Sequence, residues 1–240
     1  MSLRHTVATL ALGPVLLAQG KRVRRSVPTL PEPAGAREGV LGSGPELRLL
    51  ILGDSAAAGV GANHQDQALA GRLAVALAPT FRVCWKLLAF TGATTADLLA
   101  RLEAESPSPF DAVVTSLGVN DVTGRLPLGE WRRRQLELID ALRARHGAAH
   151  IVLSALPPMH RFQALPQPLR WYVGCRARDF NRVLAGVARE RPGCDYLELD
   201  HGAMDASAMA SDGFHPGPPL YDLWGREAAR RISDCRMEKP

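Results

Sequence analysis

Paired cysteines, membrane-length apolar runs and basic stretches threaded with aromatics are all missing from this 240-residue chain. Its four cysteines, Cys84, Cys175, Cys194 and Cys235, form no C-x-x-C pair and have no histidine at zinc-ligand offsets, so no metal site is expected. A disulfide is left open, but cysteines this widely spaced do not establish an oxidising compartment. Aromatic residues make up 5% of the chain, and none interleave with the basic runs at 21–25 and 132–134. Base stacking needs such interleaving, so the formal charge of +5 is not read as nucleic-acid binding. What is present suits a single globular domain: 46% hydrophobic and 22% charged residues can bury one substantial core.

The apolar stretch at residues 6–18 has 13 residues and is broken by Gly13-Pro14. A helix needs roughly 20 apolar residues to cross a bilayer. Three readings fit residues 1–25: a helix that rests on an anionic membrane surface or packs on the domain, a secretory signal, or a short anchor. Lys21, Arg22, Arg24 and Arg25 follow the apolar stretch and favour the first. A poor small-residue cleavage pattern counts against the second. Localisation stays open between membrane-associated, cytoplasmic and exported. Residues 26–45, with prolines at 28, 31, 33 and 45, read as a linker, which places the folded domain at 46–240.

From there strand-like and helix-like patterns alternate. Apolar runs at 47–52, 81–88, 112–117, 151–156 and 195–199 predict five strands. Helical patterns at 67–78, 94–105, 128–146, 175–189 and 218–232 fill the gaps, with Thr94 or Thr95 as an N-cap. This βαβα succession predicts an α/β fold with a parallel sheet covered by helices on both faces. In such sheets ligands bind beyond the carboxyl ends of the strands. Gly53-Asp54-Ser55 follows the first strand, Gly92 the second, Asn120 the third and His215 the fifth. All of them fall at one edge.

That edge has the parts for acyl transfer. A serine hydroxyl is a weak nucleophile until a base takes its proton. His215 supplies the base, and Asp212, three residues earlier, can hold the productive tautomer. The backbone N–H groups of Ser55 and Gly92 and the side-chain amide of Asn120 are candidate donors to a developing oxyanion. Asp54 and Asp121 read as loop braces. A histidine base predicts activity that rises with pH as the ring loses its proton.

In these blocks the chain resembles the SGNH hydrolases, the GDSL esterase/lipase family, over residues 47 to 225. Gly53-Asp54-Ser55, Gly92, Gly118-Val119-Asn120-Asp121 and Asp212-Gly213-Phe214-His215-Pro216 stand in the family's order. The resemblance implies a flavodoxin-like three-layer α/β/α sandwich with a five-stranded parallel sheet. It also implies serine ester hydrolysis without metal or cofactor. By position it assigns the catalytic roles to Ser55, Asp212 and His215, and the oxyanion hole to Ser55, Gly92 and Asn120. Ala56 replaces the family's usual leucine, Thr91-Gly92 lacks an asparagine-rich lead-in, and residues 1–45 lie outside the match. The G-x-S-x-G elbow of α/β-hydrolases is absent around Ser55.

The proline-rich segment 156–173 follows the fourth strand at the active edge. It reads as one wall of an acyl site, lined by Met159, Phe162, Leu165 and Trp171, with His160 at the surface. An apolar wall favours a fatty-acyl or aryl ester, and the basic N-terminal patch would suit an anionic lysophospholipid at a membrane surface. Two other readings stand beside the esterase: a carbohydrate O-acetylesterase or acyl-thioesterase using the same residues, and a non-catalytic membrane-associated binding protein.

Overall fold

Consecutive apolar residues build the central sheet because both of its faces are covered. The computed structural model describes residues 3–199 and 207–237. Its elements run α1 (Leu3–Ser26), β1 (Glu38–Leu41), β2 (Glu46–Gly53), α2 (Ser55–Ala58), α3 (Leu69–Leu77), β3 (Arg82–Ala89) and α4 (Thr95–Ala104). Then come β4 (Ala112–Ser116), α5 (Val119–Thr123), α6 (Leu128–His146), β5 (His150–Ser154), α7 (Leu169–Glu190), β6 (Cys194–Leu197) and α8 (Pro218–Met237). Along β2, Leu50 and Leu52 enter the core shared with α4, α6 and α7. Leu47, Leu49 and Ile51 enter the opposite core, shared with α3 and α8. Each such fully buried leucine or isoleucine contributes about 1.5–3 kcal/mol of transfer free energy. Arg48, a charged residue within the apolar run, sits near the start of the strand, where its guanidinium makes two hydrogen bonds to the Asp111 carboxylate.

The strand order is β1-β3-β2-β4-β5-β6. Strands β2 to β6 are parallel, and β1 runs antiparallel to β3 at the edge. The architecture is the expected three-layer α/β sandwich, with six strands where five were predicted. The sixth is β1, inside the stretch read as a linker. Val40 and Leu41 are exposed on it, so the strand is held by backbone pairing and carries little apolar signature.

The chain leaves β2 for β3 on one side of it and returns to β4 on the other. The carboxyl end of β2 is therefore the switch point, where an open α/β sheet leaves a crevice. Ser55 opens α2 directly beyond that end. The helix α7 starts at Leu169, six residues before the predicted position, because Pro166 and Pro168 precede its first turn instead of interrupting it. No helix among the described residues is long and apolar enough to cross a membrane. All four cysteines are free thiols, each partly exposed.

Candidate active site

The site begins with a tight exit from β2. Gly53 packs against β4 so closely that a Cβ there would lie 2.4 Å from Ser116 O, and Asp54 N donates to that same oxygen. Asp54 then caps α2, its Oδ1 accepting from Ala56 N at 3.1 Å. This cap turns Ser55 into the crevice at the first position of the helix. The last loop arrives from the far end of the chain. Ala210 N donates to His215 O, and Gly213 takes a φ of +69° that closes the turn.

The two segments meet. Ser55 Oγ lies 2.8 Å from His215 Nε2, and His215 Nδ1 lies 2.5 Å from Asp212 Oδ2. With the Nδ1 proton donated to the carboxylate, Nε2 keeps a lone pair to accept the serine proton. Asp212 Oδ1 accepts from Phe214 N and His215 N at 2.9 and 3.0 Å, which fixes the carboxylate. Burial pushes the Asp212 carboxyl up, but the hydrogen bonds from His215 and the two backbone N–H groups outweigh it and hold its pKa below the ordinary value. The carboxylate is thus ionised beneath the imidazole.

The other two loops lie alongside. Gly92, with a φ of +83°, and Asn120 both line the cavity that contains Ser55 and His215. A Cβ on Gly92 would meet nothing within 4 Å, so its backbone conformation, and not crowding, calls for glycine. Asn120 Nδ2 donates to Ala93 O at 2.9 Å, tying the third loop to the second. An amide has two N–H donors, and this bond uses one. Asp121 Oδ2 accepts from both Thr95 N and Thr95 Oγ1, so this buried carboxylate braces the start of α4 as well as its own loop.

An apolar cavity of about 520 Å³ extends from the hydroxyl. Met159, Phe162 and Leu165 line it, and Phe162 meets Phe214 edge-on at 5.5 Å. Trp171 does not line it. The early start of α7 turns Trp171 outward, 43% exposed, and puts Leu169, Tyr172 and Val173 on the cavity instead. The helix α1 closes another side through Gly13, Leu16, Gly20 and Val23. That contribution was missed in the sequence. Its signal was the spacing of these residues, which recur on one helical face.

A model of the GDSL-like Lipase/Acylhydrolase family matches residues 51–223. The chain belongs to this family. Its activity class is therefore hydrolysis of esters. A GDSL-like esterase of Mycobacterium tuberculosis is 27% identical, over 94% of this chain and 78% of that protein. The crystal structure of TesA is similar at a TM-score of 0.59 and 25% identity, covering 77% of this chain and 97% of that one. An esterase from Pseudoalteromonas, solved with monoethylphosphonate as inhibitor, shares the fold at a TM-score of 0.57 and 19% identity, over 80% of this chain and 99% of that one.

In this GDSL-family chain two further residues serve the site. Gly61, just after α2, takes a φ of +103° and passes directly beneath the His215 loop. Tyr221 of α8 donates its hydroxyl to Val60 O at 2.7 Å, fixing the same turn from below. Asp54 is held under electrostatic strain. Complete burial, only partly offset by the Ala56 N–H and by His215, pushes its carboxyl up to about 7. His160 is exposed on a 3-10 turn, and His146 and His150 are buried against Ser108 O and Asp195, away from the cavity.

Proposed function

We propose that this protein is a serine esterase that forms an acyl-enzyme on Ser55. The observation that carries the reading is the unbroken chain from Ser55 Oγ through His215 to Asp212, at 2.8 and 2.5 Å, opening onto an apolar cavity. Ser55 Oγ attacks the acyl carbon while its proton passes to His215 Nε2. The tetrahedral oxyanion is met by the N–H groups of Ser55 and Gly92 and the amide of Asn120. The imidazolium then returns the proton to the alkoxy oxygen and the alcohol departs. Water, deprotonated by the same nitrogen, cleaves the acyl-enzyme and frees the acid.

The cavity supports a substantial acyl group over acetyl. Its volume of about 520 Å³ and its mostly apolar lining suit more than a two-carbon acyl group. Hydrolysis of 4-nitrophenyl esters by the native chain and by Ser55→Ala tests the reading. The native chain is expected to turn over and the variant to fall to background. Equal rates would remove Ser55 as nucleophile. An acyl-coenzyme A thioester and an acetylated xylo-oligosaccharide, run in parallel, separate the thioesterase and carbohydrate esterase alternatives.

A further inference from the structure

Helix α1 lies outside the family match, which begins at residue 51. The family model therefore does not include α1. Yet α1 does not hang free. Leu16 is 8% exposed and belongs to the main core. Gln19 fastens the helix to the start of α7 twice, donating to Gln167 O at 2.7 Å and accepting from Leu169 N at 3.1 Å.

The face so fixed is the one that meets the cavity. Gly13, Leu16, Leu17, Gly20, Val23 and Arg24 line it, and the spacing of three and four residues puts Gly13, Leu16, Gly20 and Val23 on one side of the helix. Val15, on another side, is 46% exposed. Two of the lining residues are glycines, which are disfavoured inside a helix. Packing does not explain them. A Cβ on Gly13 would meet nothing within 4 Å, and one on Gly20 would meet only the Arg24 guanidinium, at 4.0 Å. Both glycines line the same cavity as Ser55.

We propose that α1 is one wall of the acyl site, and that the missing side chains at Gly13 and Gly20, beside Leu16, set the longest unbranched aliphatic acyl chain the protein accepts. The inference rests on Ser55 only for where the acyl carbonyl sits. A leucine at position 20 adds a side chain on the α1 side of the cavity and replaces none of the residues around Ser55. It should exclude about two methylene groups of a long chain, worth roughly tenfold in affinity.

The test uses the full-length chain, Gly20→Leu, and Val15→Ala as a control on the outward face. Calorimetry reads dodecanoate binding, and kcat/KM is compared for 4-nitrophenyl dodecanoate and butyrate. Gly20→Leu is expected to weaken dodecanoate about tenfold and lower the dodecanoate-to-butyrate ratio of kcat/KM to match, with Val15→Ala unchanged. Its melting temperature should not fall, since leucine favours the helix over glycine. Unchanged dodecanoate affinity in Gly20→Leu, or an equal effect of Val15→Ala, overturns the proposal. So does a mature protein whose mass shows that it begins beyond Gly20. Weakened dodecanoate binding by a chain that hydrolyses no ester would support the wall and sink the esterase reading alone.

Discussion

Gly61 runs so close beneath the last loop that a Cβ built on it would lie 2.3 Å from Pro216 O and 3.4 Å from His215 Cβ. Its φ of +103° is one that L side chains rarely adopt. Gly61→Ala must therefore move backbone, and the nearest backbone is that of Pro216, next to His215. A misplacement of about 1 Å at reacting groups can cost about 10²-fold in rate. The variant is expected to lose about 1–3 kcal/mol of stability and about 10²-fold in kcat. Thermal melts and ester kinetics read both. Full activity at an unshifted melting temperature would show that the loop has slack at this contact.

Asp212→Asn keeps the shape of the loop, because Asn Oδ1 can still accept from Phe214 N and His215 N. Its NH₂ group, however, faces His215 Nδ1 and calls for a lone pair there. The ring then carries its proton on Nε2, where it cannot take one from Ser55. The kcat is expected to fall by about 10³–10⁴ with KM little changed and the circular dichroism spectrum unaltered. A loss under tenfold would remove Asp212 from the relay.

The parts of the molecule legible in the sequence are those written in side chains. Strands β2, β4 and β5 are buried on both faces, so each reads as an apolar run whatever surrounds it. Ser55, Gly92, Asn120 and His215 could be assigned to one edge because parallel strands put all their carboxyl ends there. The edge strand β1 was not legible, because backbone pairing to β3 leaves no pattern in Glu38-Gly39-Val40-Leu41. Trp171 was misplaced because Pro166 and Pro168 look like loop residues until a helix is seen to begin after them. The role of α1 was hidden for a different reason. An apolar stripe looks the same in sequence whether it faces a bilayer, a core or an open cavity.

Asn120→Ala removes the donor proposed for the oxyanion and one bond to Ala93 O. The two losses differ in kind. Loss of the Ala93 bond is structural and should cost about 0.5–1.5 kcal/mol of stability. The missing transition-state donor should lower kcat by about 10²–10³ while KM shifts only a few-fold. Asn120→Asp retains the shape but turns the donor into an anion, and is expected to be at least as slow. An aspartate variant faster than the alanine one would mean that Asn120 acts on its loop and not on the oxyanion.

Asp54 makes stability depend on pH in a direction opposite to Asp212. Its folded pKa of about 7 lies above the ordinary carboxyl value of 3.8, so the folded chain keeps a proton that the unfolded chain gives up between those values. Its contribution is thus full below about pH 4, declines by at most about 1.4 kcal/mol per pH unit, and is lost once pH passes about 7. Asp54→Asn abolishes this titration. It also keeps the cap, since Asn Oδ1 can accept from Ala56 N as the carboxylate does. Denaturant unfolding of both chains at pH 4.5, 6 and 8 should show the asparagine variant gaining on the native chain at each step. Parallel stability curves across that range would mean that Asp54 is ionised in the fold throughout, with its charge balanced by His215 more fully than its burial implies.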